Sequence, residues 1–166
     1  KRIEPGDALV GVQSNGVHSN GLTLARKALT DNKTEWYHDE VPYSDATVGK
    51  ELLEPTRIYT TPLEAAREHD VRGMAHITGG GFTNLERLAD ARFIVDDPLP
   101  TQPIFDLIAE RGDVDDDEMY RTFNMGTGFV LVTPQKEAED AAATVDGRVI
   151  GRVEGGSGVV VDGVEL

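Results

Sequence analysis

The sequence predicts an α+β fold, and three observations carry that expectation. Twice the chain passes from an apolar, strand-like run through a polar loop with glycines into a segment of helical spacing, over residues 8–29 and 71–89. A third apolar run, Phe129-Val130-Leu131-Val132, has the length and composition of a buried strand. The chain then closes in two short strands around a Gly-rich turn, residues 148–153 and 158–161. At 166 residues and 39% hydrophobic content it is long enough to bury a core, and residues 1–166 read as a single domain.

The first strand, residues 8–12, leads into Ser14-Asn15-Gly16-Val17-His18-Ser19-Asn20-Gly21. A helix follows at residues 22–29, where Leu22, Ala25 and Leu29 share one face, with Ser19 or Asn20 as its N-cap. The glycines allow a sharp turn and a close backbone approach to a ligand. Free N–H groups at the helix start would face an anion placed there. The same residues also suit a plain polar turn capped by its own side chains.

Residues 31–50 lack periodicity and read as a long connecting loop, with His38 on the surface among acids. A short helix over 47–53 stops at Glu54-Pro55, residues 53–59 run extended, and a helix spans 62–68 with Pro62 at its start. His69, at that helix end, reads as another surface residue.

A second strand, residues 71–78, ends in Gly79-Gly80-Gly81, with a helix pattern after it in Leu85, Leu88 and Ala89. Three consecutive glycines are costly to order, which points to a nest of N–H groups for an anion rather than a plain turn. His76 and Thr78 share one strand face, where a histidine is expected as a hydrogen-bonded core residue. Residues 91–95 form a third strand, and 96–103 a stiff linker with three prolines into a helix from Ile104. The acid run 113–118 lacks the alternation of a calcium loop and reads as the first turn of a helix carrying Met119, Tyr120 and Phe123. Gly126 and Gly128 permit close packing at the entry to the strand 129–132, and a helix covers 134–145.

Thirty acidic against 16 basic residues give a net charge of −14, and 11 of the basic residues are Arg. That balance argues against a nucleic-acid partner, which needs basic patches. An acidic, Lys-poor surface is expected of a protein from a high-salt cytoplasm. No apolar run approaches a membrane span, and the polar start without Met reads as a chain cut from a longer one rather than a signal peptide. With no cysteine there is no disulfide or thiolate site, as fits a cytoplasmic protein. No metal-ligand set is expected.

Several runs occur in one order: residues 14–21, Leu53-Glu-Pro-Thr-Arg-Ile-Tyr59, His76-Ile-Thr-Gly-Gly-Gly-Phe82, Pro103-Ile-Phe105 and Glu118-Met-Tyr-Arg-Thr-Phe-Asn-Met-Gly126. Together they resemble the C-terminal domain of phosphoribosylformylglycinamidine cyclo-ligase, or aminoimidazole ribonucleotide synthetase. The triple glycine is shared with formylglycinamidine ribonucleotide synthetase, selenophosphate synthetase, thiamine-monophosphate kinase and a hydrogenase maturation protein. The 118–124 run is more specific to the cyclo-ligase.

The resemblance implies a mixed sheet flanked by helices, and an ATP-dependent ring closure of formylglycinamidine ribonucleotide to aminoimidazole ribonucleotide in purine biosynthesis. It also implies a missing N-terminal domain that supplies most ATP and Mg²⁺ ligands and the homodimer interface. The cleft would lie between the two domains, and this half alone would be inactive. His18 is the expected catalytic residue, with His76 in reserve. Ser14, Asn15, Gly16, Ser19, Asn20, Thr78, Gly79, Gly80, Gly81 and Asn124 are the expected substrate or phosphate contacts. An imidazole titrates near neutral pH, so His18 would donate to substrate or shuttle a proton. Another ATP-dependent member of the superfamily, or a non-catalytic ligand-binding domain, are the competing expectations.

Overall fold

The computed structural model describes residues 2–166. These form a seven-stranded mixed sheet in the order β2-β4-β1-β5-β3-β6-β7. The strands are β1 (Asp7–Gln13), β2 (Gly73–His76), β3 (Arg92–Val95), β4 (Thr127–Pro134), β5 (Arg148–Glu154), β6 (Gly158–Val161) and β7 (Val164–Glu165). Every neighbouring pair is antiparallel except β3 with β6. The helices are α1 (Leu22–Thr30), α2 (Val48–Leu52), α3 (Thr61–Glu68), α4 (Pro103–Gly112), α5 (Asp116–Thr122) and α6 (Ala138–Thr144).

Burial explains why β1 reads as a continuous apolar run: both of its faces are covered. Leu9 joins Phe93, Val130 and Val132 on one face, under Phe82 and Leu85. Ala8, Val10 and Val12 join Leu131 on the other, against Ala65 of α3 and Ala138 and Ala142 of α6. A further cluster forms between the helices, where Ala25 and Leu29 of α1 meet Ile104, Phe105 and Ile108 of α4 and Phe123. The buried Asp7 at the start of β1 is matched by Arg72 at 3.0 Å.

Several expectations are corrected. The closing strands are not a hairpin, because β3 lies between β5 and β6. Glu154 and Gly158 both register with Arg92, so the 155–157 loop steps across the end of β3. Two strand spacings are roughly 10 Å, a distance that a three-residue connection covers. The segment after the glycine run is a 3-10 helix, Gly81–Arg87, rather than an α-helix from Leu85. The loop 31–50 contains a 3-10 turn, Thr34–His38, which packs Tyr37 on the helical cluster. The helix expected over 134–145 starts as a 3-10 turn, and its α-helical part is α6. Neither Ser19 nor Asn20 caps α1. Its N-cap is Gly21 at φ 71°, with no side-chain cap. A Cβ there would lie 2.3 Å from the Phe123 ring, so close packing dictates the glycine.

Candidate functional site

The site begins with a defect in β1. Its register with β4 shifts between Val12 and Gln13, a bulge that ends the ladder and redirects the chain. Both β1 and β2 run antiparallel to β4, one on each side, so they point the same way. Val12 and His76 both register with Phe129. The loops that follow β1 and β2 therefore leave one end of the sheet together. They meet there: a Cβ on Gly79 would sit 3.2 Å from the Asn20 side-chain oxygen.

Ser14 and Asn124, both buried, brace the first loop. Ser14 Oγ donates to Asn124 Oδ1 at 2.7 Å, and Asn124 Nδ2 donates to the Gly16 carbonyl at 2.8 Å. Gln102 Nε2 donates to the Ser14 carbonyl at 2.7 Å. This network ties the loop to the exit of α5 and the entry of α4. Ser14 and Asn124 thus spend their polar groups largely on the protein.

Asn15 pins residues 54–57 across the loop. Its Nδ2 donates to the Pro55 carbonyl at 2.9 Å and to Glu54 Oε1 at 3.2 Å. Its Oδ1 accepts from the Arg57 N–H at 3.1 Å and stands 2.8 Å from His18 Nε2. Those partners fix the amide: nitrogen faces acceptors and oxygen faces a donor. His18 Nε2 must then carry the proton it gives to Oδ1, and this short bond outweighs the 3.5 Å approach of the Asn15 N–H. In the neutral ring Nδ1 is left as a bare lone pair, and it is buried without a partner.

His18 is 4% exposed, in a left-handed backbone conformation at φ 61°. Burial, with a smaller contribution from His76, lowers its pKa to about 4. The near-neutral titration expected from sequence is therefore absent, and His18 is neutral at pH 7. His76 is exposed rather than a core residue, and burial of part of its ring lowers its pKa as well. The His18 and His76 ring centroids lie 6.4 Å apart, with Tyr59 at 6.1 Å from the first and 5.3 Å from the second. Burial raises the Tyr59 pKa to about 12, so the phenol stays protonated. A Cβ on Gly128 would lie 1.6 Å from its hydroxyl, which is why β4 carries glycine there.

The other expected residues rim this cluster. Ser19 Oγ is 3.3 Å from Thr56 Oγ1. His76 and Thr78 line a groove of about 300 Å³ with Asn84 and Arg87. Gly81 donates to the Thr78 carbonyl at 2.8 Å and packs so tightly that a Cβ would meet the Tyr120 carbonyl at 1.9 Å. Gly79 is exposed and Gly80 half-buried, at φ 96°. His69 is partly buried beside Thr144 Oγ1 at 2.9 Å, not a free surface residue, while His38 is exposed. A larger cavity, about 640 Å³, lies against α2 between Arg26, Tyr37, Lys50 and Leu53, and reaches Glu54, whose carboxylate accepts from Asn15.

Sequence reasoning missed Gln13, Arg57, Tyr59 and Gln102 as parts of this site. Arg57 and Tyr59 belong to the 53–59 run that carries the resemblance, but nothing in their spacing says that they fold back over β1.

The chain matches the family described as AIR synthase related protein, C-terminal domain, over residues 4–164. It is 54% identical over 99% of its length to the phosphoribosylformylglycinamidine cyclo-ligase of Methanopyrus kandleri, of which it covers 49%. It is 48% identical over 92% of its length to that of Methanosarcina mazei, covering 46%. The chain thus spans about half the length of these curated relatives. Thiamine monophosphate kinase from Aquifex aeolicus shares its fold at TM-score 0.60 and 19% identity, over 99% of this chain and 52% of that one. The T. maritima PurL complexed with FGAR does so at TM-score 0.54 and 19% identity, over 100% and 27%. With the mixed sheet, the two converging loops and a family match that spans almost all of its residues, the chain belongs to the AIR synthase related C-terminal domain family.

Proposed function

We propose that residues 1–166 are one domain, the C-terminal half of an ATP-dependent cyclo-ligase that closes the imidazole ring of formylglycinamidine ribonucleotide in purine biosynthesis. The observation that carries this reading is His18, buried where the two loops meet, with Nε2 committed to Asn15 and Nδ1 without a partner. In the ring closure an amidine nitrogen attacks the amide carbon and must shed a proton. Nδ1 of a neutral imidazole accepts such a proton, or the hydrogen bond that precedes it. A substrate anion alongside favours the protonated ring and raises the pKa from about 4, which strengthens the base when the site is loaded. Ser19, Asn20, Thr78, Gly79 and Gly80 rim the space for phosphate oxygens. Ser14, Asn15, Gly16, Gly81 and Asn124 hold the two loops in register. His76 remains the reserve proton acceptor.

ATP supplies the phosphoryl group that makes the amide oxygen a leaving group. Among the described residues no group of three or more His, Asp or Glu side chains is placed to hold a metal ion. The proposal assigns ATP, Mg²⁺ and the homodimer contact to the N-terminal half. Leu53 and Ile58 are 81% and 83% exposed beside the site, on a face that an adjoining domain would cover. No helix among the described residues is long and apolar enough to cross a membrane, and a cytoplasmic location is part of the proposal.

The test is product formation. Full-length protein given formylglycinamidine ribonucleotide, ATP and Mg²⁺ is expected to yield aminoimidazole ribonucleotide, ADP and phosphate, while residues 1–166 alone yield none. Phosphorylation of another substrate by the full-length protein, with no ring closure, would favour another member of the superfamily.

A further inference from the structure

In a chain with 30 acidic and 16 basic side chains, a partly buried cation ordinarily finds a carboxylate. Arg72 has Asp7 at 3.0 Å, and Arg92 has Glu165 at 3.0 Å. Arg57 departs from this. Among the described residues it is the one Lys or Arg that is partly buried yet has no carboxylate oxygen within 4.0 Å.

Neutral groups hold it instead. Arg57 Nη1 donates to the Gln13 carbonyl at 3.1 Å, next to the bulge in β1, an oxygen that the Tyr59 hydroxyl also approaches at 3.4 Å. Its guanidinium lies over the Tyr59 ring, 5.7 Å from the centroid. Its backbone N–H donates to Asn15 Oδ1, the oxygen that also holds His18. Backbone and side chain are thus both fastened to the parts that position His18. A guanidinium has five N–H donors, and the bond to Gln13 occupies one nitrogen. The Nε–Nη2 edge is the geometry that takes two oxygens of one anion.

We propose that Arg57 is an anion anchor of this site, taking two oxygens of a phosphate group beside His18. The proposal rests on reading the His18 cluster as a substrate site. A phosphate group reaches it from two sources, the ribose phosphate of the ribotide or the phosphoryl chain of the nucleotide. The chemistry of the anchor is the same for both.

The experiment uses full-length protein with Arg57→Ala, Arg57→Lys and Arg57→Gln. The Gln variant keeps a donor toward the Gln13 carbonyl and serves if the Ala variant does not fold. Calorimetric titration with ribose 5-phosphate and with ADP reads binding without turnover. Loss of a bidentate charged contact is expected to weaken one of the two probes by roughly ten- to a hundredfold, with partial recovery in Arg57→Lys. In steady-state kinetics the KM of the matching substrate rises, formylglycinamidine ribonucleotide or ATP, and the other KM stays put. A wild-type protein that binds neither probe, or variants with both affinities and both KM values unchanged and only a lower Tm, overturns the anchor and leaves Arg57 as a brace for Gln13. Arg57-dependent phosphate binding in a protein that forms no aminoimidazole ribonucleotide would retain the anchor and reject the cyclo-ligase reading.

Discussion

His18 owes its chemistry to two neighbours and to burial, which a linear motif does not display together. Asn15 fixes the tautomer, His76 adds like charge, and burial removes water. The consequence for pH has a definite sign. Its folded pKa of about 4 lies below the ordinary 6.5, so the unfolded chain binds the proton first as pH falls. His18 therefore contributes stability that is present above pH 6.5 and lost between 6.5 and about 4. The loss is on the order of 2 kcal/mol, allowing for partial solvation. Denaturant midpoints measured across that window are expected to fall less steeply for His18→Gln than for the parent chain. Parallel pH profiles would mean that His18 titrates normally. The motif at residues 14–21 was legible in the sequence, and so was the candidacy of His18. Its depressed pKa was not, because it depends on burial in the folded chain and on His76, which lies far from it in sequence. Asn15 likewise looked like a ligand contact, yet its amide is engaged by Glu54, Pro55, Arg57 and His18.

At the scale of elements, the glycine run shows how one motif divides its work. Gly79 lies beside Asn20 of the first loop and Gly80 turns the chain against Thr83 and Asn84, while Gly81 lets the start of the 3-10 segment press on the Tyr120 carbonyl of α5. Gly81→Ala, which must push that backbone aside, is expected to destabilise the chain by about 3 kcal/mol or more. A thermal melt of that variant coincident with the parent would show that the two elements are not packed as described. Strand positions were legible because β1 and β4 are buried runs bounded by turn residues. Strand order was not. The split of β5 and β6 by β3 is a long-range pairing, and local patterning of a Gly-rich turn favours the hairpin that does not form. The start of α1 at Leu22 was legible but its cap was not: at Gly21 the contact with Phe123 overrode the capping preference of Ser19 and Asn20.

The whole molecule carries a net charge of −14, so its folded form repels itself at low ionic strength. Between about 0.05 M and about 1 M salt the screening length drops from more than about 10 Å to about 3 Å. Its Tm is expected to rise across that range as the self-repulsion is screened. A Tm independent of salt would show that this repulsion does not limit stability. The chain matches its family over residues 4–164 and spans about half the length of its curated relatives. The most direct test of the central claim is the turnover of full-length His18→Ala on formylglycinamidine ribonucleotide and ATP, measured alongside its Tm. The expected result is a kcat lower by roughly a hundredfold or more in protein that is still folded at the assay temperature, whatever fall in Tm the loss of a buried side chain brings. An unchanged kcat with a lower Tm would contradict it, and would make His18 a brace for its loop.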